Sequence, residues 1–401
     1  MDDGLSLRWA ERRRQVARIL QRRLVAHLAA GGTTDFAPAP FDIDPAVYTD
    51  PVRADLEMRG LFLKLPLVAG LSRDVAAPGD TLVFNECGVS IVLVRGQDSV
   101  LRGFLNMCTH RGTPLVNVGA NGRCERRSRL TCPFHAWTFA LDGTLVSVPG
   151  SEGFDGIDLG QRHLVPVPVA EWHGIVFVRA AAGRESLDID QYLGNFAPEL
   201  AQLELAPSVP VKHSALKAAT NWKLALDTYA EGYHFATLHA STIGITHYSN
   251  IAVFDEFGPH WRIQFPTKAL ANLVGKPESE WPEADYEGIH FLFPNVILVI
   301  GAIAPGQTFA RMFRLFPGPT PGSMTCHVGA YVVCGIPAAE HHLFAHDDST
   351  SHVTQEDYKV AAGAYANLVN APAGFKLVFG RNEIALQAFH RSIARFLGPT
   401  G

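Results

Sequence analysis

Four residues in two short turns constrain this chain more than any other feature. Cys108-Thr109-His110 places one thiol beside one imidazole, and Cys132-Pro133-Phe134-His135 repeats the combination further along the chain. Two such turns on neighbouring hairpins can hold one metal group from both sides. Two thiolates and two imidazoles suit a structural zinc ion, or a [2Fe–2S] cluster in which two histidines replace two cysteines on one iron.

The order of these ligands favours the cluster over zinc. Zinc fingers group Cys with Cys and His with His, whereas each turn here carries one of each, inside a run of short predicted strands. We therefore predict that Cys108, His110, Cys132 and His135 hold a [2Fe–2S] cluster that relays single electrons. Cys124 lies between the two turns, and we interpret it as a plain thiol, with a role at the cluster as the alternative.

A second group of metal ligands follows about a hundred residues later. If residues 222–235 form a helix at about 100° per residue, Asp227, Glu231 and His234 fall within an arc of about 60°. On a continued helix, His239 would lie about 140° from His234 around the helix axis. The helix must therefore end or bulge before His239 if both histidines are to share a metal. Two histidines and one carboxylate form the triad of non-heme Fe(II) oxygenases. The alternative is a solvated polar helix face.

Both groups resemble those of the Rieske non-heme iron oxygenases. Cys-Thr-His-Arg-Gly and Cys-Pro-Phe-His-Ala-Trp resemble the Rieske domain, and the stretch from Asn221 to His239 resembles the catalytic helix of the same family. Two departures are a spacer of 21 residues between His110 and Cys132, a few longer than usual, and Ala136 where glycine is common. The resemblance extends from about residue 45 to the end.

This resemblance implies a third iron ligand far downstream, just before or within a helix. The matching segment is Gln355-Glu356-Asp357-Tyr358, and Asp357 is the predicted ligand beside His234 and His239. Three acids remain as rivals for that role: Glu356, Asp347 and Asp348. A different interpretation makes Thr354-x-x-Asp357 a capping box that starts a helix.

The resemblance also implies roles for the two other acids. Family members carry an acid at the position of Glu231, usually Asp, that hydrogen-bonds a Rieske histidine and an iron-ligand histidine across the subunits of a trimer. We therefore predict that Glu231 links the two metal sites in a homotrimer and that Asp227 assists it. His390, in a C-terminal helix, is expected to be structural.

The pattern of short strands and later helices predicts an α+β fold in three segments. Residues 1–55 are expected to form an N-terminal helix, over 5–30, and a connector, both packing on the catalytic domain. Residues 56–180 are expected to form an all-β Rieske domain, and residues 181–401 the mononuclear iron domain. By resemblance that last domain is an antiparallel helix-grip (START-like) sheet. Strands are predicted at 296–300, 308–316 and 325–334, and helices at 354–370 and 381–397.

Composition and motifs exclude several classes. The formal net charge is −5 without a basic run, which argues against nucleic acid, and no apolar stretch is long enough to span a bilayer. The N-terminus does not resemble a signal peptide, so a cytoplasmic protein is expected. No G-x-G-x-x-G fingerprint after a strand and no Walker loop is present, so the chain is expected to bind neither NAD nor flavin itself.

We expect a catalytic (alpha-type) oxygenase subunit, fed by an NAD(P)H-dependent reductase with or without a ferredoxin. It would use O2 at a mononuclear Fe(II) to hydroxylate or dihydroxylate an apolar, aromatic substrate in aromatic hydrocarbon catabolism. Oxidative N- or O-demethylation is the alternative, and a zinc hydrolase or a Rieske electron carrier are rivals from other classes. The candidate pocket residues are Ile243, Tyr248, Phe291, Phe293 and Val296.

Overall fold

The computed structural model describes residues 3–117, 126–284, 286–304, 306–341 and 348–398. The chain divides into two compact units. The smaller unit contains Phe62–Tyr192 and Leu205–Ser208, and the larger unit contains the remaining residues on both sides of it. The N-terminal segment belongs to the larger unit. The smaller unit continues to Tyr192, beyond the expected boundary at residue 180.

The strands are numbered in chain order. They are β1 Phe41–Ile43, β2 Leu67–Leu71, β3 Thr81–Phe84, β4 Ile91–Arg95, β5 Leu101–Leu105, β6 Leu130–Thr131, β7 Thr138–Phe139, β8 Leu145–Ser147, β9 Pro166–Val167, β10 Val169–Trp172, β11 Ile175–Val178, β12 Val209–Ala218, β13 Val253–Phe257, β14 His260–Gln264, β15 Gly288–Leu292, β16 Val296–Ala304, β17 Gln307–Pro317, β18 Met324–Cys334 and β19 Leu377–Phe379.

The α-helices are numbered in the same way. They are α1 Asp3–Ala29, α2 Ala46–Thr49, α3 Pro51–Glu57, α4 Ile189–Leu193, α5 Ala197–Ala201, α6 Trp222–Asp227, α7 Ile243–Thr246, α8 Asp348–Leu368 and α9 Ile384–Leu397. Among the described helices, none combines the length and the apolar character that crossing a membrane requires.

The smaller unit is built from short antiparallel strands. Its sheets have the orders β3-β4-β5-β9, β10-β11-β2 and β6-β7-β8. The two Cys/His turns follow β5 and β6. Cys108 and Cys132 belong to the buried apolar core of this unit, beside Trp137 and Phe139. The predicted all-β domain is confirmed, with α4 at its end.

One antiparallel sheet of seven strands organises the larger unit, in the order β12-β18-β17-β16-β15-β14-β13. Helix α8 buries the stripe Thr354, Asp357, Tyr358 and Ala361, whose spacing of three to four residues places them on one helical face. Helix α9 packs Phe389 against Phe291 of β15, with ring centroids 5.3 Å apart. The predicted α+β class with an antiparallel sheet is confirmed.

Helix α6 is shorter than the sequence predicted. It begins after Asn221, whose side chain accepts the backbone N–H of Lys223 at 3.0 Å, and it ends at Asp227 instead of Phe235. Lys223 and Glu57 of α3 form a buried ion pair at 2.5 Å that fixes the helix in place. The helical alignment of Asp227 with His234 was therefore wrong, since the chain turns repeatedly after residue 227.

Candidate metal centres and active-site cavity

The two Cys/His turns have matching backbone geometry. The N–H of Cys108 donates to the carbonyl of Thr113 at 2.9 Å, and the N–H of Cys132 donates to that of Trp137 at 2.8 Å. Ala136 closes the second turn with a φ of 58°, a left-handed conformation that favours glycine. This conformation explains why glycine is common at that position.

The four predicted cluster ligands differ in how deeply they are buried. Cys108 and Cys132 are buried, whereas His110 is half-buried and His135 is exposed. The two imidazole rings lie 4.9 Å apart, and His110 stacks on Trp137 at 4.8 Å. Two buried thiols below two imidazoles near the surface fit a [2Fe–2S] group with one sulfur-bound and one nitrogen-bound iron.

The surroundings of Cys108 act in both directions on the pKa of its thiol. Burial raises its pKa, and so does the neighbouring Cys132 thiol, while the backbone N–H groups of His110 and Arg111 lower it. Backbone donors to sulfur stabilise the thiolate and tune the potential of a cluster. Cys124 lies outside the described residues, so its predicted role as a plain thiol stays a prediction.

The second site brings together residues from two distant segments. His234 and His239 lie in the turns after α6, and Asp357 lies on the buried face of α8. Asp357 Oδ1 is 3.0 Å from His239 Nε2 and 3.6 Å from His234 Nε2. One donor atom from each residue lies within 4.8 Å of the others. The structure therefore assembles the predicted triad.

Each imidazole also has a carboxylate on its other nitrogen. Nδ1 of His234 donates to Glu231, and Nδ1 of His239 donates to Glu356 at 2.7 Å. A carboxylate at Nδ1 fixes the tautomer that leaves Nε2 for a metal. Both Nε2 atoms consequently point toward Asp357.

Donor spacing supports a metal at this point. Two ligand atoms at about 2.1 Å from a metal and at a right angle to each other lie about 3 Å apart, close to the 3.0 Å between His239 and Asp357. Burial lowers the pKa of His239, but hydrogen bonds to Asp357 and Glu356 outweigh it and hold the pKa above its ordinary value. Burial raises the pKa of Asp357. The spacing of the two atoms therefore fits a metal held between them.

The structure bears on two alternatives to Asp357 as the third ligand, which are Glu356 as the ligand and a capping-box role for Asp357. Glu356 faces Nδ1 of His239, away from the common point, so its place as a rival ligand is not supported. The capping-box interpretation was wrong, because α8 begins at Asp348 and Thr354 lies well inside it. Asp347 and the side chain of Asp348 lie outside the described residues.

Asp227 occupies a separate buried network. It accepts hydrogen bonds from the Tyr48 hydroxyl at 2.7 Å and from Nε2 of His390 at 3.0 Å. Burial and the charge of Asp227 raise the pKa of Tyr48 far above its ordinary value. These contacts join the connector, α6 and α9, so Asp227 supports the fold around the site. A direct assisting role beside Glu231 is not seen among its described contacts.

A cavity of about 460 Å³ opens beside the triad. The wall combines aromatic, aliphatic, hydroxyl and charged side chains. Its lining residues are Thr228, Tyr229, Glu231, His234, Phe235, His239, Ser241, Thr242, Ile243, Thr246, Ile289, Val299, Arg311, Phe313, Val353, Thr354 and Asp357.

Of the five predicted pocket residues, the structure places Ile243 in this wall. The other four predictions need correction. Phe291 shares a sheet face with Ile289 but lies two residues further along, under Phe389 of α9. Phe293 stacks on Phe396 of α9. Val296 lies on the face of the sheet opposite to Val299, which lines the cavity. Tyr248 is not among the lining residues.

Sequence reasoning missed several cavity residues. Tyr229 and Phe313 lie with ring centroids 5.1 Å apart, and Arg311 stands two residues before Phe313 on the same strand. Strand alternation places Arg311 and Phe313 on one face. The sequence predicts that alternation, but it does not indicate which face of the sheet the metal-bearing turns cover.

Comparison with known proteins gives matches over both units. Residues 66–167 match the Rieske [2Fe-2S] domain, and residues 205–398 match the ring hydroxylating alpha subunit (catalytic domain). The oxygenase subunit of carnitine monooxygenase from Acinetobacter baumannii is 27% identical over 67% of this chain and 70% of its own length. The glycine betaine monooxygenase oxygenase subunit from Chromohalobacter salexigens is 31% identical over 61% of this chain and half of its own length.

A solved structure extends the match to nearly the whole chain. The crystal structure of a quaternary ammonium Rieske monooxygenase with L-carnitine superposes with a TM-score of 0.73. The match covers 91% of this chain and 97% of that one, at 21% identity. This likeness establishes a common fold.

The carboxylate on His239 gives a prediction for metal affinity. Glu356→Gln keeps the size of the side chain but replaces its charged acceptor, so the imidazole becomes a weaker ligand. We expect iron affinity at the triad to fall by about 10- to 100-fold. Titration of the iron-depleted protein with Fe(II) under nitrogen measures it.

The matched control is Glu340→Gln, a change in an exposed glutamate outside the site, which should leave the affinity unchanged. Equal affinity of Glu356→Gln and the unaltered protein would show that the contact with His239 does not tune the metal.

Proposed function

The chain belongs to the Rieske non-heme iron oxygenases as a catalytic, alpha-type subunit, and we propose that it oxidises a carbon bonded to the nitrogen of a small quaternary ammonium compound. The supporting observation is a cavity that places aromatic rings beside the triad. The relatives named for carnitine and glycine betaine support the same substrate class.

Two cofactors accompany this family, a Rieske [2Fe–2S] cluster and a mononuclear iron, and when bound they supply single electrons and activate O2. We propose Cys108, His110, Cys132 and His135 as ligands of the cluster. His234, His239 and Asp357 are proposed as ligands of the mononuclear iron. The distances and burial described above fit both groups.

The cavity walls suit a cationic nitrogen. Tyr229, Phe235 and Phe313 supply three aromatic rings, and aromatic faces attract quaternary ammonium groups. The Phe235 ring lies 5.1 Å from the ring of His234. A nitrogen held against these rings would keep its attached carbons close to the triad, and the surrounding apolar side chains would exclude water.

The expected hydrophobic, aromatic substrate is not supported. Arg311 and Glu231 open into the cavity, together with hydroxyl groups of Ser241 and Thr246. An aromatic hydrocarbon offers no charge that would complement the charged side chains of this wall. Oxidative cleavage at nitrogen, the class of reaction that includes the N-demethylation stated above as the alternative, fits the cavity better.

The proposed reaction balances as a monooxygenation. One atom of O2 enters a C–H bond next to nitrogen, and the other leaves as water after two electrons and two protons are taken up. The C–N bond of the hydroxylated cation then breaks as the new hydroxyl group loses its proton, giving a neutral tertiary amine, an aldehyde and H⁺. The electrons are proposed to come from NAD(P)H through a separate reductase, with or without a ferredoxin.

We also propose that Glu231 links the two metal sites between subunits of a homotrimer. One of its carboxylate oxygens accepts from Nδ1 of His234, while the other accepts the N–H of Tyr233. Because a carboxylate oxygen has two lone pairs, the second oxygen can also accept from a Rieske histidine of a neighbouring subunit. The extra methylene of Glu relative to Asp lets the carboxylate fold back onto its own turn.

Turnover of defined compounds tests the proposed substrate class. Carnitine, glycine betaine and choline should stimulate O2 uptake with a surrogate reductase and yield an amine and an aldehyde by mass spectrometry. Biphenyl and naphthalene are the comparison compounds. Dihydrodiols from the hydrocarbons, without any amine from the ammonium compounds, would overturn the proposal.

A variant of Glu231 tests the proposed link. With Fe(II) supplied in excess so that both metal sites are filled, Glu231→Ala should slow reoxidation of the reduced cluster at least about 100-fold, because the hydrogen-bonded route is lost. Stopped-flow absorbance of the cluster after mixing with O2 and substrate measures the rate.

Glu231→Asp, which restores the acid usual in the family, is the matched control and should recover most of the rate. Normal single-turnover product from Glu231→Ala would rule out the link.

A further inference from the structure

Tyr229 connects the cavity to a buried side chain of α8. Tyr229 belongs to the cavity wall, and its hydroxyl lies 3.0 Å from the hydroxyl of Tyr358. Tyr358 directly follows Asp357 on the buried face of α8, and 6% of it is exposed. The two phenols therefore form a hydrogen-bonded pair that begins beside the triad and continues into the protein.

A cysteine extends this pair further into the core. Cys326 of β18 is 0% exposed, and its sulfur accepts a hydrogen bond from the hydroxyl of Tyr358. Burial raises the pKa of this thiol to about 12, although the hydrogen bond from Tyr358 acts in the opposite direction. The thiol therefore keeps its proton at neutral pH. Tyr229, Tyr358 and Cys326 are called the phenol–thiol relay below.

The relay combines groups that are readily oxidised with contacts that carry protons. Phenols and thiols give up an electron easily when a proton leaves with it. Each member of the relay is hydrogen-bonded to the next, so an electron and a proton can cross the same contact. Such transfers leave neutral groups behind and avoid a bare charge in the core. Because the relay ends at a fully buried thiol, it fits storage of oxidising equivalents better than proton delivery from solvent.

We propose that the phenol–thiol relay supplies electrons and protons when O2 reacts at the triad without a substrate. This inference rests on the proposed iron at the triad, but on no choice of substrate.

The proposed reaction balances when the relay takes the place of the substrate. Reduction of O2 to two molecules of water takes four electrons and four protons. Two of these electrons are stored at the two metal sites of the reduced protein, and two protons come from solvent. Tyr229 passes an electron and a proton to the oxygen, Tyr358 replaces them at Tyr229, and Cys326 replaces them at Tyr358. After two such transfers, two water molecules have formed, and one tyrosyl and one thiyl radical remain.

Freeze-quench EPR of the reduced, iron-loaded protein tests the relay. After mixing with O2 and no substrate, the unaltered protein should show a tyrosyl signal, which narrows in protein made with ring-deuterated tyrosine. Tyr229→Phe keeps the ring of the cavity wall but removes the first hydroxyl, so it should lose the signal. Tyr365→Phe, which changes a tyrosine about two turns further along α8, is the matched control and should keep it. An unaltered protein without a tyrosyl signal, or a signal that survives in Tyr229→Phe, would overturn the proposal.

Oxidation of the buried thiol gives a second readout that a merely structural role would not produce. A thiyl radical at Cys326 adds O2, and the oxidised sulfur can no longer be alkylated after unfolding. Peroxide in solution attacks accessible thiols first, and the half-buried Cys334 of the same strand reports it. With catalase present, peptide mapping of the unaltered protein should show loss of alkylation at Cys326 but not at Cys334.

Tyr358→Phe interrupts the relay before the thiol and should keep both cysteines alkylated. Full alkylation of Cys326 in the unaltered protein, equal loss at the two cysteines, or loss at Cys326 in Tyr358→Phe would overturn the proposal. Each variant must first match the unaltered protein in iron content.

The relay and the proposed function can fail separately. These experiments contain no substrate, so quaternary ammonium compounds that do not react would remove the proposed substrate class alone. A protein that binds iron at the triad and consumes O2, but forms neither the tyrosyl radical nor oxidised Cys326, would overturn the relay alone. A triad that binds no iron would overturn both.

Discussion

A carboxylate on the Nδ1 atom of each imidazole is the constraint on which the active site depends. Glu231 takes that position at His234, and Glu356 takes it at His239. With both Nδ1 atoms engaged, the two Nε2 atoms have one shared direction, toward Asp357. The contacts of His239 with Glu356 and Asp357 join the turns after α6 to α8.

Ligand chemistry made much of the candidate site predictable from the sequence. The mixed Cys/His turns and the spacing of His234 and His239 limit the metals they can hold, whatever the surrounding fold. Asp357 followed from the family resemblance, since nothing local distinguishes it from Glu356. The structure separates the two acids because one faces Nε2 of His239 and the other faces Nδ1.

The residues around the predicted metal site were harder to predict from the sequence. Asp227 seemed to face the site only because the helix was extended past its true end, and its partners Tyr48 and His390 come from distant segments. Strand alternation around Phe291 and Val296 was predictable, but the elements covering each face were not. Arg311 could not be assigned to the cavity for the same reason.

We propose that His234, His239 and Asp357 hold a mononuclear iron separate from the cluster. Iron analysis of Asp357→Ala, combined with the EPR spectrum of the reduced protein, tests it most directly. We expect a loss of about one iron per chain with the Rieske signal unchanged. Full iron content in Asp357→Ala, or loss of the Rieske signal with the iron, would contradict it.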